Sequence, residues 1–298
     1  MFYFLSVFVG MLIAIMITIN GELSSYYGVY LSAVIIHIIG SVFAYTMMRF
    51  SKEKLVYKHH LPLWYYLGGV MGVITTYCNN FAFGKISLTS MIALVLLGQT
   101  LTSIVIDTYG WFGMKQYPFQ KHKWVGLSFA LLGIIMMFDA PHISGIFAIV
   151  VSVLAGITVI LSRTFNAKLG EHVGVIQGSF LNHLIGLPLC ILLFILLDHQ
   201  TDWAVLKFSS SFSIYLGGIL GVLTVLLFNV LVPKVAAFPL TILSFVGQIF
   251  TSMVLDIVLL QTTDYTTLRA SLIIAFGIGI NMILDQKKIN IPISETKS

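Results

Sequence analysis

The chain has 298 residues, of which 58% are hydrophobic and 9% charged, and its formal net charge is +5. A soluble domain carries roughly 25% charged residues, so a mean hydropathy of +0.99 excludes an aqueous globular fold and implies an integral membrane protein. Its apolar stretches have the length of helices crossing roughly 30 Å of hydrocarbon, and the period-two alternation of a membrane β-barrel is absent.

Ten spans are predicted in chain order. The first, Tyr3–Ile19, lacks the basic flank and small-x-small cleavage site of a signal peptide. It runs into Asn20-Gly21-Glu22, so it reads as a retained helix. The others are Tyr30–Phe50, Leu63–Phe81, Thr89–Asp107, Trp124–Phe138, Gly145–Arg163, Val175–Leu197, Ile214–Val232, Leu240–Leu260 and Leu268–Leu284. Connections are short, and Cys78 and Cys190 fall inside apolar spans, where they act as small hydrophobes. One set of alternate loops holds 13 of the 16 Lys and Arg residues, and the other holds Lys85, Lys207 and Arg269. Basic loops stay inside, which places both termini in the cytoplasm. The positive charge is thus a topology signal rather than a nucleic-acid footprint.

The chain contains itself twice. Gly98-Gln99-x-x-x-Ser103-x-x-x-Asp107 returns as Gly247-Gln248-x-x-x-Ser252-x-x-x-Asp256. Earlier, Asn20, Leu23, Gly28, His37 and Gly40 match Asn166, Leu169, Gly174, His183 and Gly186. Gly68, Gly69, Gly72, Thr75, Asn80 and Lys85 match Gly217, Gly218, Gly221, Thr224, Asn229 and Lys234. The offset is 146 in the first series and 149 in the second. Five spans per unit is an odd number, so the two copies cross the membrane in opposite senses. The expected organisation is a first repeat at 1–140, a second, inverted repeat at 141–287 and a cytoplasmic tail at 288–298.

Several polar residues lie within or beside the spans. Gln99, Ser103 and Asp107 share one helix face, as do Gln248, Ser252 and Asp256. Midspan Gln residues either line a cavity or join helices by hydrogen bonds. His37 and His183 lie in apolar spans, with Asn182 and Gln177 near the second; cavity lining and ordinary packing are both open to them. Two histidines without carboxylate or thiolate company make a poor metal site. Asp107 and Asp256 sit at helix C-termini, unfavourably for the dipole, so a compensating partner is expected, with gating or coupling as their candidate role. Asn20 and Asn166 are read as ending the first and sixth spans, and Asn80 and Asn229 as ending the third and eighth. They are candidate caps or gates. Arg163 is placed near a helix end, where it snorkels to lipid phosphates or attracts an anionic substrate. Gly68-x-x-x-Gly72 and Gly217-x-x-x-Gly221 mark close helix approach.

On these motifs the chain resembles the drug/metabolite transporter superfamily, in its YdcZ-like branch. That branch has Asn-x-x-Leu after the first helix, Gly-Gly in the third, and Gly-Gln followed by Asp in the fourth. The resemblance implies ten helices, with spans one to four and six to nine around a central cavity. The fifth and tenth pack outside, at a dimer contact in some members. Small multidrug resistance relatives carry a membrane-embedded Glu in their first helix, whereas Tyr3–Ile19 has no acidic residue.

The expectation is therefore an all-α membrane protein of two inverted five-helix repeats, multi-pass in the cell membrane. It acts as a secondary transporter or facilitator moving a small organic metabolite by alternating access. A lipid flippase of the same fold is the nearest alternative; a non-transporting sensor or an intramembrane enzyme stands further off. P-loop, Gly-x-Ser-x-Gly and His-Glu-x-x-His motifs are absent, so no enzyme activity, cofactor or metal is expected. The expected partners are a small-molecule solute, the bilayer and a second copy of the chain. Candidate substrate-binding residues are Gln99, Gln248, His37, His183, Asn182, Gln177, Ser103 and Ser252.

Overall fold

The computed structural model describes residues 2–51, 61–114, 116, 121, 123–136, 143–198, 208–235 and 237–260, with short helical pieces between 269 and 284. The predicted tail at 288–298 and much of the tenth span lie outside the described residues. Every long element is a helix: α1 Phe2–Tyr27, α2 Val29–Phe50, α3 Leu67–Ala82, α4 Leu88–Tyr109, α5 Lys123–Met136, α6 Ile143–Val173, α7 Val175–Leu197, α8 Gly217–Leu231 and α9 Ala237–Leu255. Lipid offers the backbone no hydrogen-bond partners, so each span must satisfy its own amides. Among the described residues, seven helices are long and apolar enough to cross a membrane. At 16 residues, α3 reaches about 24 Å, and a 3₁₀ turn at Leu63–Tyr66 prolongs it.

Two helix ends differ from the sequence reading. Asn20 does not end the first span, nor Asn166 the sixth: both lie inside continuous helices that run to Tyr27 and Val173. The true corners are Gly28 and Gly174, repeat mates with φ of +80° and +94°. Each is the single residue between two helices. At ψ near 160° that conformation is essentially open to glycine alone. Asn80 and Asn229 do fall in the last turns of α3 and α8.

Packing pairs one half with the other. α1 lies along α9, α6 along α4, and α2 along α7. At Gly98 the α4 backbone presses on the Val153 carbonyl of α6, and Gly156 of α6 presses back on the Val95 carbonyl. The repeat mates do the same: Gly247 lies on the Val7 carbonyl and Gly10 on the Ser244 carbonyl. A side chain at any of these four positions would force the helices apart. α5 packs on α4, and its Phe129 ring meets Phe276 at 5.8 Å between centroids.

Candidate functional site

Eight helices, α1–α4 and α6–α9, converge on a central cavity of about 140 Å³, and no described residue of α5 lines it. A cavity of about 150 Å³ admits benzene, so this space suits a small organic molecule. Its wall mixes Ile, Val and Met with amides, hydroxyls, imidazoles and one guanidinium.

At the crossing of α2 and α7 the two histidines face each other, ring centroids 5.9 Å apart. The His37 ring lies on Gly186 and the His183 ring on Gly40, each filling the space that its partner's missing side chain leaves. Nδ1 of His37 is 2.9 Å from the Ala33 carbonyl and Nδ1 of His183 is 3.0 Å from the Ser179 carbonyl. A carbonyl only accepts, so these contacts suit rings protonated on Nδ1; His37 Nδ1 also lies 3.3 Å from Cys190 Sγ. That fixes both orientations and turns the Nε2 edges towards the facing helices.

The asparagines repeat this reciprocity. Oδ1 of Asn166 packs on Gly68 at the start of α3, and Oδ1 of Asn20 on Gly217 at the start of α8. Both oxygens are buried without a hydrogen-bond donor among the described residues. Asn166 Nδ2 donates to Asn182 Oδ1 at 2.8 Å, tying α6 to α7. Asn20, Asn166, Asn182 and Asn229 all line the cavity, as do both histidines. Asn80 lies off the wall and donates to Ser32 Oγ at 3.1 Å; its neighbour Asn79 faces the cavity instead.

Both midspan glutamines, Gln99 and Gln248, reach the cavity wall. Gln99 accepts from Arg163 Nη1 at 3.2 Å, and the Arg163 guanidinium lies 3.8 Å from the Phe228 ring centroid. Arg163 thus does not snorkel to lipid. It is buried in the middle of α6 and points into the cavity. The sequence reading set it near a helix end, with snorkelling and attraction of an anionic substrate both open, because a charge closing an apolar run looks like a helix end. The Gly28–Gly174 match, which marks the real corner, was the signal that could have placed it. Desolvating a cation costs several kcal/mol, a cation–π contact returns about 2 kcal/mol at best, and Gln99 is a neutral partner. Among the described residues no acidic side chain lines the cavity.

The remaining candidates lie elsewhere. Asp256, at the end of α9, accepts from the backbone N–H groups of Leu88 at 3.2 Å and Thr89 at 3.0 Å, and from the Thr89 hydroxyl. Its compensating partner is therefore the N-terminus of α4, a helix of the other repeat, where a carboxylate is favourable. Ser252 supports the same corner, its Oγ 3.3 Å from Thr89 Oγ1. Ser103 and Asp107 are buried, and Gln177 is half-buried on α7; none of the three is part of the cavity wall.

Two repeats of apolar helices around one shared polar cavity define a multi-span membrane transporter. The family described as "Putative inner membrane exporter, YdcZ" matches residues 1–136 and again 147–283. The chain belongs to that family, within the drug/metabolite transporter superfamily. A solved structure, described only as "Crystal structure of protein", is similar in fold: TM-score 0.65 at 12% identity, covering 95% of this chain and 97% of that one. No curated protein matches significantly.

Proposed function

We propose that the chain is a ten-helix secondary transporter of two inverted repeats, 1–140 and 141–287. In this reading it moves a small organic solute across the cell membrane by alternating access, with both termini cytoplasmic. The carrying observation is that repeat mates line one cavity in pairs: His37 and His183, which face each other, Asn20 and Asn166, and Gln99 and Gln248. Inversion is supported by Asp256, which joins the end of α9 to the beginning of α4, its own mate, so the two run in opposite senses. A site on such an axis can be offered to either side when the halves exchange conformations. The family description favours the outward direction.

The test is solute counterflow in proteoliposomes, screened over small acids, amides, alcohols and amines. At least one class should exchange, and Gln99→Ala or His183→Ala should weaken it by about tenfold, the effect of losing roughly 1.4 kcal/mol of binding. A screen in which nothing moves under any gradient, with protein shown to be folded and correctly inserted, overturns the reading.

A further inference from the structure

The cavity has two unlike poles. Arg163, Gln99 and Phe228 form one, on α6, α4 and α8. Their repeat mates are Ile17, Gln248 and Asn79, which line the same cavity on α1, α9 and α3. The glutamines are conserved between the halves, while the cation and the ring beneath it occur in one half alone. An architecture that is two-fold in its helices is thus polarised in its charge. Resting on the transport reading, we infer that the transported solute is a small organic anion whose carboxylate or phosphate is bound by Arg163.

The argument is one of unmet donors. A guanidinium has five N–H donors in a planar fork suited to two oxygens of one anion. Gln99 takes one at Nη1, and Phe228 supports a face of the cation, leaving its other edges for a ligand. Gln99 also holds the fork in place, since its amide oxygen accepts from Arg163. Among the described residues no carboxylate lines the cavity to neutralise the charge, so an entering cation meets repulsion and an entering anion meets the Arg163 guanidinium. Ile17, Met16 and Ile13 offer an apolar surface, and Asn79 at the opposite pole keeps a buried amide oxygen without a donor among the described residues. A small carbon skeleton with an anionic head and a polar group at its far end matches this arrangement.

Charged and neutral pairs test it on the full-length protein in detergent: benzoate against benzamide, succinate against succinamide, and glycerol phosphate against glycerol. Dioleoylphosphatidylglycerol is a further arm. Thermal stabilisation by one or more soluble anions and not by their neutral mates is expected. Arg163→Gln should abolish it, and Arg163→Lys should retain a weakened response. Stabilisation by neutral mates alone overturns the inference while leaving transport intact. Stabilisation by the lipid alone also overturns it, in favour of a headgroup site. Unchanged anion binding by folded Arg163→Gln protein removes Arg163 from the site. Anion binding lost in Arg163→Gln, without flux of that anion in sealed vesicles, upholds the site and overturns the transport reading.

Discussion

Asp256 shows how one carboxylate can serve two helices. It lies at the end of α9, where the peptide dipole repels it, yet it receives two backbone N–H groups and a hydroxyl at the start of α4. Replacing it by Asn keeps the shape but removes the charge and turns an N–H₂ towards donors that need an acceptor. Loss of a cap of this kind costs about 1–2 kcal/mol, so Asp256→Asn should lower the melting temperature measurably and leave solute affinity nearly unchanged. Asp107, its repeat mate, is expected to give a similar loss. An Asp256→Asn protein with wild-type melting and no transport would instead make this carboxylate a coupling group.

Among the elements, the corners at Gly28 and Gly174 decide where α1 and α6 end. With φ at +80° and +94°, a side chain there carries a strain of about 1–3 kcal/mol. Gly28→Ala and Gly174→Ala should each destabilise the protein by that order in a thermal or denaturant melt, although Gly28 has open space around it. The sequence displayed these glycines as mates, and it displayed Gly68, Gly217, His37 and His183 as mates too. The structure gives these mates equivalent contacts, Gly68 against Asn166 and Gly217 against Asn20, and the His37 and His183 rings against Gly186 and Gly40. What stayed hidden was which way a residue faces and what it touches in the other half. Asn20 and Asn166 looked like helix ends because polar residues interrupt apolar runs there, and Arg163 looked like an interfacial charge. Hydropathy reports average burial in lipid and cannot distinguish a polar residue leaving the membrane from one facing an internal cavity. The Gly10–Gly156 pair was likewise invisible, because its partners are backbone carbonyls in the other half.

Across the whole molecule, the two halves are related in topology but unequal in how tightly two seams are joined. α3 packs on α6 over a wider surface than its mate α8 packs on α1. The first seam is joined by Thr75 and Thr158, hydroxyls 2.8 Å apart, and by Ser162 donating to the Gly68 carbonyl at 2.8 Å. The mates of Thr158 and Ser162 are Leu12 and Met16, and the Thr224 hydroxyl, mate of Thr75, is buried with no partner among the described residues. At the end where α1 stops, the Tyr27 and Tyr215 hydroxyls bond to each other and accept from the Ser209 N–H at 3.1 and 3.0 Å. Their mates are Val173 and Tyr66, so this latch too has no duplicate. Hydrogen bonds between membrane helices average about 0.6 kcal/mol, little enough for the α3–α6 seam to open during turnover. Under the alternating access proposed above, α8 should close on α1 as α3 parts from α6. Cysteine pairs report this directly in a background lacking Cys78 and Cys190. Thr75→Cys with Thr158→Cys should cross-link readily in the conformation described here. Leu12→Cys with Thr224→Cys should cross-link more as the first pair cross-links less, once a transported solute is supplied from one side. Opposite responses of the two pairs are the signature of alternating access, and two pairs indifferent to solute would mean that the seams do not exchange.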